Sequence, residues 1–187
     1  MNTVFKRSAI ALSALVLMSG CASFGGADRS EIETVSRVDL DRFMGRWYVI
    51  AHIPTFIETK AYNAVEAYER RDADTIDTTF SFNKGGFDGK LKTYTPVATV
   101  RPDTGDAVWG MQFVWPIKAE YRVIWVDDAY AVTVIGRSKR DYVWIMAREP
   151  ELDADVRTEI DQFLVAQGYD LSKMREVPQR WDGRDAP

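Results

Sequence analysis

The chain has 187 residues, of which 46% are hydrophobic, 12% aromatic and 28% charged, a balance that excludes a wholly disordered, collagen-like or low-complexity chain and suits one domain with a short addition. A single cysteine excludes an intramolecular disulfide, and with a single histidine it leaves too few ligands for the usual zinc, copper or haem sites. A net charge of −4 and an isoelectric point near 5.1 argue against a protein that coats nucleic acid.

The first element in chain order is not part of a fold. Lys6 and Arg7 form a positive start, residues 9–18 are an uncharged apolar run, and Ser19-Gly20 supplies small residues. This is the layout of a secretory signal over residues 1–20, and the run is far short of the roughly 20 residues that span a bilayer. Met18-Ser19-Gly20-Cys21 resembles the lipobox of bacterial lipoproteins, with Met18 where Leu is usual. That resemblance implies that Cys21 becomes the acylated first residue of the mature chain and anchors it to a membrane. Ala22 in the next position implies sorting to the outer membrane, facing the periplasm. A plain signal peptide that happens to contain a cysteine is the alternative. Residues 21–37 carry Ser, Gly and acids with no apolar period and read as a flexible tether.

Short strand patterns then recur between turn signals. They cover residues 47–53, 62–70, 76–82, 91–100, 107–114, 121–126, 130–135 and 142–147. Residues 76–82 alternate apolar with polar, so one face should meet water, and residues 83–89 form a hairpin loop. Residues 130–135 and 142–147 are apolar at nearly every position and should be covered on both faces. Eight short strands at regular spacing predict an antiparallel barrel or sandwich. Alternation from Trp47 puts His52 on the outer face. One helix follows: Asp153 is the N-cap, Val156, Ile160, Phe163 and Leu164 form an apolar stripe, and Gly168 is the C′ residue. Its stripe should lie on the outer face of the last two strands.

Gly45-Arg46-Trp47-Tyr48 resembles the first signature of the lipocalins, and Arg148 falls where the third signature places an arginine. The second signature is only partly present, as Asp127-Asp128-Ala129-Tyr130. Residues 121–127 and 140–146 are similar to strands of the bacterial (Blc-like, apolipoprotein-D-like) branch of that family. The resemblance runs over residues 38–181 and leaves 182–187 as a tail. It implies an all-β fold: an eight-stranded antiparallel up-and-down barrel with one C-terminal α-helix packed outside. Gly45, Trp47 and Arg148 would be structural, with the guanidinium over the indole at the closed end.

Carried over position by position, the resemblance points Ile76, Thr78, Phe80, Met111, Phe113, Tyr121, Val123, Trp125, Ala131, Thr133, Tyr142 and Trp144 into the barrel. Such walls suit a fatty acyl chain or another long apolar ligand. Glu66 and Tyr68 share a face that the family puts inside, where Glu66 is costly unless paired or protonated. The loops that the family places at the barrel mouth carry Lys60, Lys84, Lys90, Lys118, Arg137, Lys139 and Arg140 against Glu58, Asp88, Glu120 and Asp141. The mouth should therefore be basic and attract an anionic head group, with Phe56, Ile57 and Ile117 as an apolar rim.

The reading is a binding protein with no catalytic residue, cofactor or metal. It is an outer-membrane lipoprotein that holds or transports a fatty acid, lysophospholipid or similar ligand, with a homodimer open. No nucleophile motif or phosphate loop is present, and acylation consumes the one thiol. An envelope scaffold whose barrel is filled by its own large side chains is the alternative, and an enzyme on the same fold is a more remote one.

Overall fold

The computed structural model describes residues 32–114 and 116–181. The signal read over residues 1–20, Cys21 and the tail 182–187 lie outside the described residues.

The barrel begins with a lid. Helix α1 (Leu40–Phe43) is one turn long, and Asp39 caps it by accepting from the Asp41 and Arg42 amides. Strands β1 (Gly45–Ile53), β2 (Ala61–Arg70) and β3 (Thr75–Lys84) follow as antiparallel neighbours. Residues 91–100, expected as one strand, are two: β4 (Lys90–Tyr94) and β5 (Val97–Val100), both paired to β3. The break falls at Thr95-Pro96, because proline has no N–H to give the ladder; its carbonyl instead accepts from the Thr78 amide. Then come β6 (Val108–Val114), β7 (Ile117–Val126), β8 (Val132–Gly136) and β9 (Val143–Ala147). β9 pairs back onto β1 and closes the sheet into an eight-stranded antiparallel barrel. A short β10 (Arg175–Glu176) adds to β1 outside.

Helix α2 (Ala154–Ala166) packs on the outside. Asp153 accepts from the Asp155 and Val156 amides at its start, and Gly168, at φ +84°, ends it in the left-handed conformation. Ile160 and Leu164 are fully buried against Ala51, Ile53, Val134, Val143 and Ile145. At about 1.5–3 kcal/mol for each fully buried side chain, these two residues are the main attachment of the helix. The strands read as covered on both faces are the ones beneath it.

Four strand pairs carry a register shift, and the ones on β1 and β7 reverse faces that alternation would assign otherwise. On β1, Val49 pairs with Met146 and Ala51 with Ile145, so Ile50 is an extra residue. On β7, Val123 pairs with Ile135 and Trp125 with Val134, so Ile124 is extra. Each extra residue shifts the alternation by one and exchanges the two faces beyond it. Ala51 and Ile53 thus turn out to the helix and His52 turns in; Trp125 turns out beside the helix and Val126 turns in.

The described segments on either side of the barrel bind to it. Within the stretch read as a tether, Ile32 is buried against the helix side of the barrel and the Val35 amide donates to the Val123 carbonyl. Near the other end, Asn63, at φ +48°, donates to the Arg180 carbonyl and accepts from the Arg180 amide. Gln179 donates to the Val49 and Ala64 carbonyls.

Candidate functional site

The closed end explains the signature residues. Gly45 sits at φ +92°, a conformation in which a larger residue is strained, and a Cβ there would be in contact with the Arg148 guanidinium at 3.4 Å. Arg148 lies 3.7 Å over the Trp47 ring and donates to the carbonyls of Arg42, Phe43, Met44, Arg46 and Tyr130. One guanidinium therefore takes up the carbonyls at the end of α1 and ties the lid to β1. Trp47 Nε1 donates to the Phe43 carbonyl, and Phe43, Tyr68 and Trp109 fill the space below.

Above this plug the barrel holds a cavity of about 500 Å³ that opens at the other end. It falls in the range of about 300–1,000 Å³ that small-molecule sites occupy. Of the residues expected to point in, Thr78, Phe80, Met111, Phe113, Tyr121, Tyr142 and Trp144 line it. Ile76 and Val123 also face in but belong to the packing beneath it. Thr133 is buried on the inner face, with its hydroxyl spent on the Trp125 carbonyl. Two expectations are corrected. Trp125 lies outside, because the bulge at Ile124 reverses its face. Ala131 lies in the β7–β8 turn at the closed end, where its amide donates to Asp127.

An aromatic ladder climbs one wall. Trp109 stacks on Tyr121 with ring centres 5.1 Å apart, Tyr121 on Trp144 at 6.5 Å, and Trp144 meets Tyr142 at 6.3 Å. The Arg137 guanidinium covers Tyr142 at 5.0 Å and lines the cavity at the mouth. Its Nε is buried without a partner, while Nη1 pairs with Asp141 at 3.4 Å.

Several other charges expected at the mouth are engaged elsewhere. Lys118 is on the outer face of β7, by alternation from Ala119 and Tyr121, and donates to Thr99. Arg140 donates to the Gln167 carbonyl at the end of α2, a cation at a helix C-terminus. Lys139 is exposed on the same turn. Glu120, counted as a mouth acid, is on the outer wall, accepting from Arg122 and Ser138. The rim is apolar: Phe56 is 87% exposed, Ile117 71% and Phe113 49%.

The sequence reading missed a buried polar group near the mouth. His52 and Glu58 are both buried and stand 3.6 Å apart. Trp144 Nε1 donates to Glu58, and so does the Thr55 amide, which folds the loop after β1 back over the barrel. Burial alone would raise the Glu58 carboxyl; the His52 imidazole and the bonds from Thr55 outweigh it and hold it below the usual carboxylate range. Deeper in, Glu66 accepts from the Tyr68 hydroxyl, which also bonds Tyr121. Burial, joined by the charge of Glu58, pushes Glu66 up to about 7 against the opposing bond from Tyr68. Burial and the neighbouring Glu66 push both tyrosines well above the usual phenol range. Among the described residues no group of three or more His, Cys, Asp or Glu side chains is placed to hold a metal, and no helix is long and apolar enough to cross a membrane.

A closed eight-stranded barrel, plugged at one end and open at the other to an apolar cavity with polar groups in its wall, defines a small-ligand-binding β-barrel. Residues 38–179 match the family of the lipocalin-like domain, and the chain belongs to the lipocalins. It is 27% identical over 160 residues to temperature-induced lipocalin-1 of Arabidopsis thaliana, covering 81% of this chain and 85% of that protein. It is 27% identical over 152 residues to outer membrane lipoprotein Blc of Escherichia coli K12, covering 79% of this chain and 83% of that protein. Among solved structures, insecticyanin from the tobacco hornworm Manduca sexta superimposes with a TM-score of 0.62 at 18% identity, covering 78% of this chain and 83% of that one.

Proposed function

We propose that this lipocalin is a lipid-binding outer-membrane lipoprotein. Anchored by acylated Cys21 and facing the periplasm, it holds or transports a fatty acid, lysophospholipid or similar amphiphile for membrane maintenance. The observation that carries the reading is the cavity of about 500 Å³ whose aromatic ladder ends in Arg137. An acyl chain fits the walls, and an anionic head group gives the buried Arg137 Nε the acceptor it lacks. The similarity to an outer membrane lipoprotein of Escherichia coli supports the location, as does the lipobox-like run before Cys21.

Native mass spectrometry and solvent extraction of the full chain purified from membranes test the reading. The expected result is about one amphiphile per barrel, exchangeable for added fatty acid with a change in tryptophan fluorescence, since Trp144 lines the cavity. A barrel that carries no amphiphile and takes none up would make this an envelope scaffold instead.

A further inference from the structure

The inner end of the cavity is not built for a bare hydrocarbon tail. Thr78 lines the cavity, is 3% exposed, and its hydroxyl oxygen is buried with no hydrogen-bond partner. Val or Ala would be the apolar choice at such a position; a buried hydroxyl left unsatisfied is a cost that native proteins rarely leave in place. Thr78 pairs directly with Tyr68 across the β2–β3 ladder, and Tyr68 bridges Glu66 and Tyr121. Glu66 and Tyr121 line the same cavity. A hydroxyl without a partner, a carboxyl and a phenol thus share the inner part of one pocket.

Charge decides what this group accepts. Glu66 and Glu58 are the two acids in the cavity wall, and Arg137 is the cation at its mouth. A ligand carboxylate or phosphate placed beside Glu66 would be buried with no cation to pair it, whereas Arg137 attracts it at the mouth, so the anionic end lies outermost. The inner end then has to be uncharged, and able both to donate and to accept.

We propose that Thr78, with Glu66 and Tyr121, forms an inner polar subsite for a hydroxyl group, and that the ligand is an oxygenated acyl chain with its anionic head at Arg137 and a hydroxyl near its far end. This rests on the lipid-binding reading above and names its ligand class. A plain acyl chain still fits, but it leaves Thr78 unsatisfied. A hydroxylated chain gives up hydration of its hydroxyl and recovers it as hydrogen bonds at Thr78 and the Glu66 group.

The test compares hexadecanoic acid with 16-hydroxyhexadecanoic acid by tryptophan-fluorescence titration of the full chain, in wild type, Thr78→Val and Thr78→Ser. An apolar inner end would weaken the hydroxylated acid by about tenfold or more relative to the plain acid. The expected wild-type result is that the hydroxylated acid binds at least as tightly as the plain one. Thr78→Val, which swaps the hydroxyl for a methyl of similar shape, should weaken the hydroxylated acid about five- to tenfold while plain acid binds as before or more tightly. Thr78→Ser, which restores the hydroxyl, should keep the wild-type order. If the plain acid binds but the hydroxylated acid is tenfold weaker in wild type, or if Thr78→Val affects both acids alike, the subsite is overturned and the lipid reading stands. If neither acid binds, the lipid reading itself fails and takes the subsite with it.

Discussion

Glu66 makes the stability of this barrel fall as pH rises, and the effect can be isolated with one isosteric change. Glu66 is 8% exposed, and burial raises its carboxyl from 4.5 to about 7. Between those two values the folded chain holds a proton that the unfolded chain has released. Stability is therefore fully present below about 4.5 and is lost as pH rises through about 7. The whole displacement corresponds to on the order of 3 kcal/mol, of which about 2 kcal/mol or more falls between pH 5 and pH 8. Glu66→Gln keeps an acceptor for the Tyr68 hydroxyl and removes the titration. Urea unfolding of the wild type and the variant, at steps from about pH 5 to about pH 8, should show the variant gaining on the wild type by about that amount at the alkaline end. The unfolding slope m should be unchanged, because the same surface is exposed. A stability difference that stays constant across the range would mean that Glu66 is ionised in the folded barrel throughout, and the argument from its burial would be wrong.

The other expectations are simpler. Trp144→Ala should weaken fatty-acid binding by about 1–3 kcal/mol through lost aromatic contact, while Trp125→Ala, outside the barrel, should lower the melting temperature and leave affinity unchanged in the same titrations. Arg137→Glu should weaken anionic amphiphiles but not a long-chain alcohol, with the loss reduced in high salt; Arg140→Glu, at the end of α2, should cost stability instead, and equal effects on affinity would count against Arg137 as the head-group partner. Metabolic labelling with palmitate should mark the wild type, and Cys21→Ala should abolish the label and release the protein from membranes; a variant still membrane-bound after a salt wash would refute acylation as the anchor.

The strands and the helix were legible in the sequence because their signals are local. Alternation, turn residues and the Asp153 and Gly168 caps each act within a few residues, and the structure places the two caps as read. What was not legible is parity. Nothing in residues 47–53 marks Ile50 as an extra residue, because the bulge exists only relative to Met146 and Ile145 on a strand almost a hundred positions away. The same holds for Ile124 against Val134 and Ile135. A single uncounted residue sends every later side chain on that strand to the wrong face. Two of the failures, His52 expected outside and Trp125 expected inside, come from these two bulges. Pro96, by contrast, was a local warning within residues 91–100: a proline inside a strand pattern marks a break.

The bulges also connect fold to site. Without the one at Ile50, His52 would face the helix and Ala51 the cavity, and Glu58 would lose the imidazole that offsets its burial. With it, β1 turns Ala51 and Ile53 outward to receive Ile160 and Leu164, and turns one basic ring inward under the mouth loop. The bulge on β7 gives Ile124 and Trp125 together to the same outer cluster. A barrel this narrow gains room for a ligand only if bulky residues leave its interior. Holding Glu58 against His52 and Trp144 rather than across the opening is one way the chain provides that room.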